Sequence, residues 1–142
     1  MSGLKTTFAR NCLVFAGLAF AAGCSNLLET QVQIIRNGRV TVTGTSPVPM
    51  LLITSTNFTA TRADNGTLLV NYVTADTAVI TLPYDRSYSF GETDRFVVKL
   101  ANADEDTTAD IELRVFADGA EKYRQRATMK DSSLEFVFYQ TF

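Results

Sequence analysis

Few side chains in this sequence can do chemistry, and their types narrow the options before any fold is considered. The chain has no His and no Trp, and its two cysteines are Cys12 and Cys24. Without an imidazole, the Ser-His-Asp and Cys-His arrangements of nucleophilic catalysis have no general base. Zinc sites built from His and Cys lack their ligands for the same reason. A carboxylate pair of the kind used on glycosidic bonds remains, as does a Ser assisted by Lys. With 15 Asp+Glu in the chain, some pair lies close by chance. The reading is therefore a non-enzyme without cofactor.

The densest acidic run, Asp104-Glu105-Asp106 with Asp110 and Glu112 following, raises the question of calcium. Counted from Asn102 as the first position of a calcium-binding loop, Asp104 and Asp106 fall correctly. The sixth position is Thr107 where that loop needs Gly, and the last is Leu113 where it needs Glu. The spacing predicts a solvated loop between two strands and no metal site. Asn57-Phe58-Thr59 and Asn65-Gly66-Thr67 match the N-glycosylation pattern, a tripeptide common in any Thr-rich chain.

Cys24 has a more specific setting. The first ten residues carry Lys5 and Arg10 and no acid, and an apolar run of 11 residues, CLVFAGLAFAA, follows at 12–22. A basic start, a short apolar stretch and small residues at its end are the parts of a secretory signal. The run is well short of the ~20 residues a helix needs to cross a bilayer. It ends in Ala21-Ala22-Gly23-Cys24-Ser25, which resembles the lipobox of bacterial lipoprotein signals, where small residues precede a Cys that is acylated and becomes the new N-terminus. This chain has Ala21 where that family usually has Leu. The resemblance implies a cleaved signal at 1–23 and a lipid on Cys24. An ordinary signal cleaved near Ala22 or Gly23 would instead leave Cys24 a free thiol, a liability in an oxidising compartment that acylation removes. Two acyl chains hold a protein firmly where one does so only marginally. Ser25 rather than Asp after the Cys implies, by the same resemblance, sorting to the outer membrane on its periplasmic side. The membrane, through the lipid, is thus the first expected partner.

Cleavage ahead of Cys24 leaves 119 of the 142 residues, with 11 Lys+Arg against 15 Asp+Glu and no second thiol for a disulfide. That length suits one domain, read as 31–142 after a short tether at 24–30. The composition, 46% hydrophobic with a net charge of −2 for the whole chain, is globular and excludes a strongly basic nucleic-acid binder.

The elements are strands. Seventeen Thr, 11 Val and 5 Ile follow Cys24, and β-branched residues suit a pleated, half-buried surface. Period-2 alternation sets Phe96, Val98 and Leu100 against Arg95, Val97 and Lys99, and sets Ile111, Leu113 and Val115 against Glu112, Arg114 and Phe116. Leu134, Phe136 and Phe138 alternate with Glu135, Val137 and Tyr139; Leu68, Val70 and Tyr72, then Ala78, Ile80 and Leu82, repeat the pattern. Turn signals stand at Asn37-Gly38, Ser46-Pro47, Asp64-Asn65-Gly66, Pro83 and Asp118-Gly119. Strands are predicted at 31–36, 39–44, 49–55, 67–73, 78–82, 95–101, 109–116, 121–128 and 133–140. At Asn37-Gly38 a two-residue turn would oppose Arg36 to Arg39, so a three-residue loop with a bulge, aligning Ile34 with Val40 and Val32 with Val42, is preferred. Seven to nine short antiparallel strands predict an all-β, immunoglobulin-like sandwich.

The last stretch, Phe136-Val137-Phe138-Tyr139-Gln140-Thr141-Phe142, resembles the terminal strand of outer-membrane β-barrels. The runs here are short against the ~9–11 residues of a barrel strand, so it is read as a final sandwich strand that packs Phe136 and Phe138 inward. Tyr139 and Phe142 are then left as a candidate contact patch. From Ile80 to Phe138 the order is Leu82-Pro83-Tyr84, a short strand to Phe90, the strand of Phe96, Val98 and Leu100, a hairpin from Ile111 to Gly119, and a last apolar strand. This order resembles the small β-sandwich domains of mycobacterial MmpS-type membrane proteins, which implies an accessory role beside a transporter. The chain is thus expected to be a non-catalytic envelope lipoprotein whose sandwich binds another envelope protein. The alternative is a domain that binds a sugar, lipid or peptide through aromatics such as Tyr72, Tyr84, Tyr88 and Tyr123.

Overall fold

A computed structural model of the chain describes residues 33–102 and 104–139. Cys24, the signal and tether segments, and Phe142 lie outside the described residues. Eight strands follow in chain order: β1 (Ile35–Thr45), β2 (Met50–Arg62), β3 (Leu68–Ile80), β4 (Tyr84–Thr93), β5 (Arg95–Asn102), β6 (Ala109–Ala117), β7 (Ala120–Met129) and β8 (Ser132–Tyr139). They form two antiparallel sheets of four, sheet A in the order β4-β1-β6-β7 and sheet B in the order β3-β2-β5-β8. The all-β sandwich that the alternation predicts is the architecture, and no helix interrupts it among the described residues.

The inward faces are those the periodicity names. Ile111, Leu113 and Val115 of β6 and Val40 and Val42 of β1 are buried in one cluster with Met50, Leu52, Phe96, Val98 and Leu100 from sheet B. Leu134, Phe136 and Phe138 of β8 pack against that cluster. Each fully buried aliphatic or Phe side chain contributes roughly 1.5–3 kcal/mol. The two turns with Gly after Asp or Asn close hairpins as expected. Asp118 (φ +47°) and Gly119 (φ +80°) join β6 to β7, while Gly66 (φ +83°) helps join β2 to β3.

Three strand expectations are corrected. Asn37-Gly38 is no turn: β1 runs straight through it, with Gly38 opposite Tyr88 of β4 and Ala117 of β6. The predicted pairing of Ile34 with Val40 therefore does not form, and Val32 of the second predicted pair lies outside the described residues. Two contacts explain the outcome. The Asp118 carboxylate accepts the backbone N–H of both Arg36 (3.0 Å) and Asn37 (2.8 Å), which holds a bulge there. A Cβ on Gly38 would lie 2.7 Å from Cζ of Phe90, so the glycine serves close packing rather than chain reversal. Second, the segments predicted at 67–73 and 78–82 are one continuous strand, β3, whose middle passes Thr74, Asp76 and Thr77 without a break. Third, the strand list lacks β4, which the Tyr84-Arg86-Tyr88-Phe90 alternation supports and which pairs with β1 over Tyr84–Thr93.

The β2–β3 pair is longer than the sheet it belongs to. β5 pairs with β2 only from Leu51 to Ser55, whereas β2 and β3 stay paired out to Arg62 and Leu68. A two-stranded arm is marginal by itself, and two contacts tie its base to the sheet. The Arg95 guanidinium donates to the Phe58 carbonyl at 3.0 Å, and the Tyr72 hydroxyl donates to Glu135 at 2.9 Å.

Candidate functional site

The outward faces of the two sheets differ in kind. On sheet A the outward residues of β4, β1, β6 and β7 form cross-strand charge pairs. Arg39 grips Asp85 with two N–H groups, Nε at 2.8 Å from Oδ1. Arg114 donates to Glu121 at 2.7 Å, and Glu112 accepts from both Arg124 and Arg126. Phe116 lies between Arg39 and Arg114, whose guanidinium carbons stand 5.8 and 5.0 Å from its ring centre. The hydrogen bond from Arg126 holds the Glu112 carboxyl below its ordinary range, as Arg39 does for Asp85. A hollow of about 460 Å3 over Thr43, Glu112 and Arg126 lies on this face, but the acid and bases there already satisfy one another.

On sheet B the outward rows carry fewer charges. Register aligns Val79, Leu51, Ala101 and Ser133 in one row, then Thr77, Ile53, Lys99 and Glu135, then Ser55, Val97 and Val137. Val97 and Phe58 are buried, yet neither belongs to the inter-sheet core. Val97 is on an outward row of β5, and Phe58 is on the part of β2 that pairs with β3 beyond β5. Val79, two rows away, is 73% exposed. Tyr139 sits at the end of β8 opposite Arg95, partly buried on this face. The edge strand β8 carries a single charge, Glu135, whereas the edge strand β7 carries Glu121, Lys122, Arg124 and Arg126. Edge strands without charges are templates for pairing with another chain.

No family model matches the chain, and neither a curated protein nor a solved structure matches it. The assignment of the site therefore rests on its own geometry.

The four tyrosines of the ligand-binding alternative are not brought together. Tyr72 is tied to Glu135 on the outside of sheet B. Tyr123 packs its ring on Phe136 at 5.3 Å and bonds Gln125. Only Tyr84 and Tyr88 meet, hydroxyl to hydroxyl at 3.2 Å. Beside them a cleft of about 430 Å3 opens between β4 and the β2–β3 pair. It is lined by Thr54, Thr56, Asp76, Arg86 and Tyr88, over Phe90 and Phe96. The Arg86 guanidinium lies 5.2 Å above the Tyr88 ring. Burial raises the Tyr88 phenol above its ordinary pKa, and its bond with Tyr84 adds to this. Arg86 and Asp76 were not singled out in the sequence. The signal that finds Arg86 is the even-numbered run Tyr84, Arg86, Tyr88, Phe90, which marks one face of a strand.

The acidic run does what a solvated loop does. Glu105 and Asp106 are exposed between β5 and β6, and Asp104 accepts the N–H of Asp106 at 2.8 Å. Asp110 and Glu112 belong to the sheet A pairs, Asp110 accepting from Thr128 at 2.6 Å. Among the described residues no three potential metal ligands converge. Asn102, by contrast, is a structural residue that the sequence does not flag. Its buried amide donates to the carbonyls of Thr107 and Met129, which clamps the loop onto the end of β7.

Proposed function

We propose that the chain is a cell-envelope lipoprotein, held by a lipid on Cys24, whose β-sandwich is a non-catalytic binding or assembly module for another envelope protein, of the kind that accompanies a transporter. The observation that carries the module is the outer face of sheet B. Exposed Val79 with half-buried Leu51 and Ile53, neighbours on the outward rows of a sheet whose edge strand β8 carries one charge, are what a protein partner would cover. The anchor fits that role. Residues 25–34 separate Cys24 from β1, and ten residues reach at most about 35 Å, so the lipid keeps the domain next to the membrane.

The anchor is tested by metabolic labelling with an alkyne fatty acid in membrane fractions. Wild type labels and Cys24→Ala does not; equal labelling of both, or of neither, overturns it. The face is tested by Ile53→Lys against Thr43→Lys. Both variants keep the lipid label and the fold, and only Ile53→Lys loses a partner that co-purifies with wild type. Loss with Thr43→Lys alone would place the partner on sheet A instead.

A further inference from the structure

The cleft between β4 and the β2–β3 pair is separate from the outer face of sheet B, and its chemistry differs. Among the described residues, Arg36, Arg39, Arg95, Arg114, Arg124 and Arg126 are all in ion pairs. Arg86 is in none. Arg86 is held instead over the Tyr88 ring, its guanidinium carbon 5.2 Å from the ring centre. Stacking on an aromatic face leaves the edge of a guanidinium, with its N–H donors, free to meet a ligand. Asp76 lines the same cleft from β3 and attracts Arg86 without reaching it. One side of the cleft is therefore a donor seated over a ring and the other an acceptor. Thr56 adds a hydroxyl, which both donates and accepts.

This arrangement discriminates among ligands. An anion drawn to Arg86 meets the Asp76 carboxylate, and a cation drawn to Asp76 meets Arg86. A neutral molecule dense in hydroxyl groups satisfies both sides, because each hydroxyl can accept from the guanidinium or donate to the carboxylate. Phe90, partly exposed at the base of the cleft, supplies an apolar contact for the C–H groups of a sugar ring. At about 430 Å3 the cleft lies in the range of small-molecule sites. We infer that this cleft binds a neutral saccharide, with Arg86 and Asp76 as its orienting polar pair and Phe90 as its apolar contact. The inference does not depend on the protein-docking role of sheet B: either can fail alone.

The test uses the full-length chain in detergent, titrated separately with cellobiose, maltose, N,N′-diacetylchitobiose, inorganic sulfate and spermidine, and read by thermal unfolding and by amide chemical shifts. A bound saccharide raises the melting temperature in a concentration-dependent way and moves the amides of residues 54–56, 76 and 86–90. Arg86→Ala and Asp76→Asn each weaken that sugar about tenfold or more, the expected cost of losing a hydrogen bond to a charged group. Both sites are exposed, so both variants keep the wild-type melting temperature without sugar, and Arg39→Ala on the outer face leaves binding unchanged. Three outcomes overturn the inference: no shift with any of the sugars, sulfate or spermidine binding in their place, or sugar shifts confined to the outer face of sheet B.

Discussion

The outer faces of sheets A and B have the same strand geometry and opposite surface chemistry. On sheet A the outward positions are completed within the chain itself. Every arginine on that face has a carboxylate beside it, and its one aromatic, Phe116, lies under two guanidinium groups. On sheet B the outward rows carry Val97, buried as deeply as a core residue but outside the core, and exposed Val79. The difference separates two uses of an exposed sheet. A face of internally matched charges is finished and soluble, because exposed ion pairs contribute little and attract little. A face with apolar residues on its outward rows leaves some of that surface in water, and a partner can bury it.

The sharpest way to break this comparison is Phe58→Ala. Phe58 is as buried as a core residue, so its loss costs about 3–5 kcal/mol, as for a core Phe, while the Arg95 bond to the backbone carbonyl at 58 persists. Phe116→Ala on sheet A, partly exposed under its two arginines, costs about 1 kcal/mol. Urea unfolding measures both, and equal costs would erase the distinction. Val97→Ala comes next, at about 2 kcal/mol for two methyl groups and the space they leave, against a change within about 0.5 kcal/mol for the outward Thr41→Ala.

A smaller effect concerns pH. Hydrogen bonds from Arg126 and Arg39 lower the folded-state pKa of Glu112 and Asp85, and one from Arg95 lowers that of Asp94. A carboxylate held lower in the folded chain than in the unfolded one adds stability that is complete above the unfolded pKa, about 4. That stability is lost as pH falls through the folded value. Thermal unfolding should therefore show a stable plateau above about pH 5 and an acid-side decline that Glu112→Gln makes shallower. A decline that begins in the neutral range would contradict these shifts. The smallest expected effect is that of Glu112→Gln at neutral pH in high salt, where screening makes the variant indistinguishable from wild type. A clear loss of stability there would mean that sheet A's pairs do more than solvate it.

Much of this was legible in the sequence, for definable reasons. Strict alternation in residues 109–117 and 132–139 placed two strands and their inward faces, because a half-buried strand has no other way to read. Asp118-Gly119 was legible because its two residues accept positive φ. Asn37-Gly38 carried the same local signal and misled. Its outcome is decided by Asp118 and Phe90, 81 and 53 positions away in sequence, which no local window includes. The β3 strand read as two because Thr74 to Thr77 interrupts its apolar pattern, and an edge strand tolerates that interruption. Of the candidate sites, the tyrosine pair Tyr84 and Tyr88 was named from the sequence. Arg86 and Asp76 were not, since they meet only where strands of opposite sheets come together. The burial of Val97 was hidden for a different reason: it looks like an ordinary solvent-side valine until its neighbours across β2 and β8 are known.

The central claim, that sheet B presents the docking face of an anchored module, is tested most directly in living cells by a photo-crosslinking side chain placed at Ile53 or Val79 on sheet B and at Thr43 or Arg124 on sheet A. The account predicts one discrete adduct from both sheet B positions and none from sheet A. Adducts from sheet A alone, or from neither sheet, would contradict it.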